Sequence, residues 1–222
     1  PSPAQWEVAY DDSLLAGPHL EATLVAVDAQ TVLLLGGRFA TNERRSVRQQ
    51  RQTCVPLFGA DADVVRFTVD DGAFSAQRVE DMPQGRWGAK ATAFGGSVWV
   101  FGGTVVDSGA PLPPPALLRY SLESNEWTEV APSQLSGVAP AVVGHVMAES
   151  RIGPHWFFAG GGLEGITRVS SIALDEVLQQ GAGQWCEHTG LPARRTGGAL
   201  LAVEDELVYA LGSSSSASGQ DA

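Results

Sequence analysis

"GGSVWVFGG", residues 95–103, is an apolar strand held between two pairs of glycines. Comparable strand endings occur three more times, as TVLLLGG at 31–37, HWFFAGG at 155–161 and ELVYALG at 206–212. A short apolar run bounded by turn residues is typical of a buried strand. Four such endings in one chain indicate an internal repeat, which decides the fold class before any single residue does.

The repeat extends beyond the glycines. The segment MPQGRWGAKATAFGGSVWVFGG at 82–103 matches LPARRTGGALLAVEDELVYALG at 191–212. Each has a proline, an arginine three residues later, a glycine two residues after that, and then two apolar strands joined by a tight turn. Past the glycine pair come a loop, another strand and a strand that opens on an aromatic residue. The repeat is carried by Gly36, Gly37, Arg86, Gly102, Gly103, Tyr120, Trp127, Gly160, Gly161, Trp185 and Arg195.

This pattern resembles the kelch repeat, and the resemblance runs from Trp6 to Gly212. It implies an all-β chain of the kelch-type β-propeller class, in which each blade is a four-stranded antiparallel sheet. It also implies a structural role for the hairpin arginines, Arg86 and Arg195. The expected units are a partial blade at 1–15, blades at 16–81, 82–131 and 132–190, a partial blade at 191–212 and a flexible polar tail at 213–222.

These units supply about 15 strands, fewer than a closed ring of kelch blades needs. The chain is therefore expected to form an incomplete propeller. Exposed sheet edges promote pairing with other chains. We accordingly expect either self-association or completion by blades supplied from other sequence.

Composition narrows the function classes. The chain has 222 residues, is 44% hydrophobic and carries a net charge of −11, which argues against nucleic acid or an anionic membrane as the partner. No apolar run approaches the roughly 20 residues that span a bilayer. Cys54 and Cys186 form no CxxC pair and are interpreted as two reduced thiols, with a disulfide or a metal role as the alternatives. The sequence does not identify the compartment, and an intracellular, cytoplasmic location is favoured.

No catalytic motif is present, so no catalytic residue, metal ligand or cofactor is predicted. The stretch GGGLEG at 160–165 is interpreted as the glycine pair extended by one residue rather than as a phosphate loop. His145 and His155 flank one long hairpin, and a metal site between them is the alternative interpretation of these histidines.

Two unequal loops follow the glycine pairs and should project from the same face. The first, at 37–63, concentrates five of the 14 basic residues, which favours an acidic protein partner because guanidinium pairs with carboxylate in a bidentate manner. The second, at 104–116, is proline-rich and pre-extended. A solvated loop and a rigid spacer are the respective alternatives. The candidate binding residues are Arg38, Arg44, Arg45, Arg48, Arg51, Pro113, Pro114 and Pro115.

Together these features predict a protein-interaction or scaffold module that presents long loops on a propeller face. The alternatives are part of a kelch-type enzyme, either an oxidase or a sugar mutarotase, and the kelch region of a larger multidomain enzyme. The oxidase interpretation is disfavoured because the chain has only three tyrosines. The sequence therefore favours binding over catalysis.

Overall fold

The computed structural model describes residues 21–41, 57–104, 117–140, 145–149, 154–161, 167–195, 197–203, 206–210 and 212. This part of the chain is built of strands with a single α-helix, which confirms the predicted all-β class. The strands are β1 (Thr23–Ala26), β2 (Thr31–Leu35), β3 (Arg38–Thr41), β4 (Leu57–Ala60), β5 (Val64–Asp70), β6 (Ala73–Arg78), β7 (Lys90–Phe94), β8 (Ser97–Phe101), β9 (Leu117–Ser121), β10 (Trp127–Val130), β11 (Leu135–Gly137), β12 (Val146–Glu149), β13 (His155–Ala159), β14 (Val169–Ala173), β15 (Gly183–His188), β16 (Ala199–Val203) and β17 (Glu206–Ala210). The helix α1 covers Leu174–Gln180.

Within the described residues, four sheets follow one another along the chain, and the hairpin β3–β4 forms a separate two-stranded sheet. The first sheet has the order β1-β2-β5-β6 and the second the order β7-β8-β9-β10, with every neighbouring pair antiparallel. The third sheet contains β12-β13-β14-β15 in the same arrangement, and β11 adds to it in parallel beside β15. The fourth sheet contains β16 and β17 within the described residues. Each of the first three sheets thus contains four antiparallel strands in chain order.

Strand β8 shows that the second sheet packs against sheets on both of its faces. All five residues of β8 are buried, although alternate side chains of a strand point to opposite faces. Val98 and Val100 pack in a core formed with the first sheet, whereas Trp99 and Phe101 pack in a core formed with the third. The second sheet therefore buries both of its faces, as its continuous apolar sequence predicts.

The sheets stack face to face in chain order. One core lies between the first and second sheets, another between the second and third, and another between the third and fourth. The first strand of each sheet also contacts the first strand of the next, because β1 contacts β7, β7 contacts β12 and β12 contacts β16. The first strands consequently run along one side of the stack.

Glycine is required where the second strand of a sheet ends. Gly36 has φ +58°, and a Cβ there would collide with the Arg86 carbonyl oxygen. Gly160 has φ +65°, and its Cβ would lie 2.8 Å from the Arg195 carbonyl oxygen. The next residue in each case donates its N–H to that same arginine carbonyl oxygen. Gly37 donates to Arg86 at 2.8 Å, and Gly161 donates to Arg195 at 2.9 Å. Each of these strand ends is thus bonded to the start of the following sheet.

The described strands differ from the expected set in three places. The 37–63 segment, predicted to be a loop, contains the antiparallel hairpin β3–β4. β11 is an added parallel strand, and α1 fills the connection between β14 and β15 that was expected to be a turn. Segments of three to seven residues carry too little periodic pattern to reveal their structure. The partial blade expected at 1–15 lies outside the described residues.

Candidate functional site

The arginine-rich segment is carried by a hairpin ribbon, β3–β4. Arg38 pairs with Ala60 at the base of the ribbon, and Thr41 pairs with Leu57 at the last described rung. Residues 42–56, which include four of the five candidate arginines, connect these paired ends. Arg44, Arg45, Arg48 and Arg51 lie outside the described residues. Four of the candidate arginines therefore lie, in sequence, between two paired strands.

Backbone and side-chain contacts fix the base of this ribbon. The Asp61 N–H donates to the Gly37 carbonyl oxygen at 2.8 Å. The Arg38 guanidinium approaches Glu21 at 2.7 Å and lies 5.1 Å from the centre of the Trp87 ring. An ion pair and a cation–π contact thus orient the first arginine of the predicted set.

A cavity of about 590 Å³ opens beside this anchor, at the beginnings of the first strands of all four sheets. Its volume is in the range of small-molecule sites. Glu21 and Trp87, the two partners of Arg38, both line it. So does Lys90, the single lysine of the chain. Arg38, at the base of the ribbon, therefore contacts two residues of the cavity wall.

Sequence reasoning did not identify Glu21, Trp87, Lys90 or His145 as members of one surface. These residues lie near the beginnings of first strands in different sheets, and they come together only when the sheets stack. The one available signal was that Lys90 is the only lysine in a chain of net charge −11.

His145 lies at the cavity wall but is itself buried, with 2% of its surface exposed. Its ring packs 5.9 Å from Phe101 and 5.3 Å from Phe158, measured between centroids. Neither ring nitrogen has a hydrogen-bond partner within the described part of the chain. Burial, assisted by the positive charge of Lys90, lowers the pKa of His145 from 6.5 to about 3. His145 is therefore a neutral core side chain near pH 7.

The two histidines considered for a metal site lie at opposite ends of their hairpin. Val146 pairs with Ala159, so His145 is beside one end, whereas His155 begins β13 at the other. Among the residues that the structure describes, no group of three or more His, Cys, Asp or Glu side chains is arranged to hold a metal ion. The register of the strands thus keeps the two histidines apart.

Arg86 is buried, and its Nη1 donates to the Gly102 carbonyl oxygen at 3.0 Å. Burial lowers the pKa of Arg86 from its ordinary value. Its own carbonyl oxygen accepts from Gly37, so this residue contacts the strand ends of both the first and the second sheet. In the next equivalent position, the Arg195 backbone makes the corresponding bond to Gly161.

The repeated aromatic residues lie between the sheets. The Tyr120 and Trp127 rings are 5.0 Å apart between centroids. The indole N–H of Trp127 donates to the Glu80 carbonyl oxygen at 3.0 Å, which links the second sheet to the chain that leaves the first. Trp185 is buried and packs 4.9 Å from Phe101 in the core between the second and third sheets.

An acidic cluster includes the residues that follow β4 in the chain. Arg78 forms ion pairs with Asp63 and Asp81, and the second of these measures 2.8 Å. Burial and the neighbouring Asp61 raise the pKa of Asp63 despite the opposing charge of Arg78. The Asp63 N–H donates to Asp61 Oδ1 at 2.9 Å in the turn from β4 into β5, whereas Asp63 Oδ2 is buried and has no hydrogen-bond partner among the described residues.

The proline-rich candidates Pro113, Pro114 and Pro115 lie outside the described residues, as does Cys54. Cys186 is exposed and is a free thiol. Within the described ranges, no helix is long and apolar enough to cross a membrane.

Similarity to known proteins adds no assignment to this geometry. A scan of the chain against protein-family models finds no match, and a search of curated proteins finds none either.

Proposed function

We propose that the chain is a kelch-type propeller region that serves as a protein-interaction module. The fold part of the proposal is supported by the four-stranded meanders that stack in chain order with their first strands adjacent. Repeated four-stranded sheets arranged radially are the architecture of propellers. The free Cys186 thiol is consistent with a reducing intracellular compartment, and we place the module in the cytoplasm.

The β3–β4 ribbon carries the functional part of the proposal. It interrupts the direct β2-to-β5 connection of the first sheet, whereas a meander needs only a short link there. Its base is held by Arg38 against Glu21 and Trp87, so the ribbon leaves the sheet in a defined direction. The five arginines of this segment, in a chain of net charge −11, concentrate the attraction for an acidic partner at one place in the sequence.

The partner is an acidic protein segment. Guanidinium groups bind carboxylates through two parallel hydrogen bonds, and several such pairs in one segment add specificity as well as affinity. The association should weaken as salt concentration rises, because exposed charges are screened within about 10 Å at 0.1 M ionic strength.

A variant with Arg44, Arg45 and Arg48 all changed to Ala tests the proposal. Binding of a fluorescently labelled polyglutamate peptide should fall by roughly tenfold or more, since each lost charged contact contributes on the order of 0.5–1 kcal/mol. The melting temperature should stay the same. The corresponding triple Lys variant retains charge without the planar fork and should bind with intermediate affinity. Equal affinity of the wild type and the Ala variant would refute the acidic-partner assignment.

The cavity favours a second candidate, a small-molecule site of the kind an enzyme would use. The specific observation is the approach of Lys90 and Glu21 to a space of about 590 Å³ bounded by the Trp87 region. Pockets with a few convergent polar groups are the default candidates for small-molecule sites. The cation of Lys90 and the Trp87 ring would suit a small carboxylate or a sugar. A panel of such compounds in a thermal-shift assay tests it: stabilisation that disappears in Lys90→Met supports this candidate.

A further inference from the structure

Exposed apolar side chains are concentrated on two sheet faces. Among the described residues, seven large apolar side chains are exposed, and six of them occupy the two outermost faces of the stack. Leu24 is 65% exposed on the first sheet, and Leu201 is 57% exposed on the fourth. The six are Leu24, Val69 and Phe74 on the first sheet and Leu201, Val203 and Val208 on the fourth, as the strand registers place them.

The outer face of the first sheet has the same pattern as a face that is buried elsewhere in the chain. Val32 and Leu34 precede Gly36 as Val98 and Val100 precede Gly102, and the latter two pack on the first sheet. The aromatic pair of the outer strands is repeated as well. Phe67 pairs with Val32 as Tyr120 pairs with Val98. Phe67 stacks at 5.7 Å on Phe74, which lies diagonally across the strand pair, and Tyr120 contacts its direct partner Trp127 at 5.0 Å. The outer face of the first sheet thus resembles the face by which the second sheet packs on the sheet before it.

The outer face of the fourth sheet is of the opposite type. Ala199 pairs with Ala210 as Lys90 pairs with Phe101, so Val208 occupies the position of Trp99. Trp99 is fully buried against the third sheet, whereas Val208 is 46% exposed. The fourth sheet thus presents the kind of face that, within the chain, packs on a following sheet.

We propose that two copies of this chain associate head to tail, with the outer face of the first sheet in one copy packed on the outer face of the fourth sheet in the other. The contact continues the series of three sheet-to-sheet cores already present within each copy. Because it joins two different surfaces, it is heterologous and leaves one face free at each end of a dimer. This inference rests on the sheet faces alone and does not depend on the proposed acidic partner.

Sedimentation velocity with two complementary variants tests it. The first-face variant carries Leu24→Glu and Phe74→Glu, and the fourth-face variant carries Leu201→Glu and Val208→Glu. All four side chains are exposed, so the fold should survive, as circular dichroism will verify. The wild type should associate in a concentration-dependent manner beyond the dimer or into a closed ring. Each variant alone should be monomeric, because its one intact face lacks a complementary face.

The decisive sample is the equimolar mixture of the two variants. It should form a one-to-one dimer that does not grow, since only one compatible pair of faces remains. The matched control is Val138→Glu, which alters the seventh exposed apolar residue and should associate like the wild type. A monomeric wild type at every concentration, a single variant that associates as the wild type does, or a mixture that stays monomeric would each overturn the head-to-tail proposal. Milder substitutions, Leu24→Ser and Val208→Thr, repeat the test if a Glu variant does not fold.

Discussion

Arg38 lies with its guanidinium carbon 5.1 Å from the centre of the Trp87 ring, and this contact joins the hairpin ribbon to the wall of the cavity. Arg38 belongs to the first sheet's insertion, whereas Trp87 leads into the second sheet. The same guanidinium approaches Glu21, which precedes β1. One side chain therefore couples the direction of the ribbon to the way the first two sheets meet.

Replacing Arg38 with Met tests this coupling, because Met keeps an unbranched stem and removes the charge. The free energy of unfolding should fall by about 1 kcal/mol, the sum expected for a partly exposed ion pair and a cation–π contact. Urea unfolding measures it. Arg194→Met, which changes an exposed arginine, is the matched control and should leave stability unaltered. An unchanged midpoint in Arg38→Met would show that the contact does not stabilise the ribbon.

Gly36→Ala should destabilise the chain more than Gly72→Ala does. Both glycines have positive φ, which costs a residue with a side chain about 1–2 kcal/mol. At Gly72 nothing lies within 4 Å of the added Cβ, so that cost stands alone. At Gly36 the Cβ also meets the Arg86 carbonyl oxygen, and the strand end must shift. Thermal melts of the two variants compare the effects, and equal losses would contradict the close approach.

Arg86→Met should lower the free energy of unfolding by about 1–3 kcal/mol, because the Gly102 carbonyl oxygen loses a buried donor. Arg66→Met removes a bond of the same length, 3.0 Å to Asn125, at an exposed position and should cost less. Denaturant unfolding of both variants gives the comparison. If the two losses are the same, burial of the Arg86 contact contributes nothing extra.

His145 should make the fold sensitive to acid. Its folded pKa of about 3 is below the ordinary 6.5, so between these values the unfolded chain binds a proton that the folded chain does not. Stability should therefore decline as pH falls through this window, by about 1.4 kcal/mol per pH unit for this one group. His145→Phe, which suits the ring environment of Phe101 and Phe158, should flatten the decline.

Urea unfolding at pH 6 and pH 4 measures that difference. His155→Phe makes the same substitution at an exposed position and is the control for the change of side chain itself. A His145→Phe variant that loses as much stability between the two pH values as the wild type would contradict a neutral, buried imidazole.

The repeating part of this fold could be predicted from the sequence because each repeat contains the glycines that its own turns require. Glycines at 36, 102 and 160 adopt positive φ and end buried strands, and the apolar run at 97–101 is buried on both faces. These features depend on local backbone geometry and on strand alternation, which short stretches of sequence record directly.

The candidate surface could be predicted only in part. The sequence pattern predicts that Arg38 lies in a loop, yet Arg38 begins a strand and pairs with Ala60, 22 residues later. The cavity was not anticipated because Glu21 and Lys90 come from different sheets and meet only after stacking. Short paired segments and contacts between repeats depend on tertiary packing, which no local pattern encodes.

Shortening the ribbon is the most direct test of the interaction proposal. Thr41 and Leu57 are paired directly across the hairpin, so an Asn-Gly turn can replace residues 42–56 and keep β3 and β4 joined. The shortened chain should melt at the wild-type temperature and bind the polyglutamate peptide at least tenfold more weakly in fluorescence polarisation. Unchanged affinity in a correctly folded shortened chain would contradict the claim that this ribbon recognises an acidic partner.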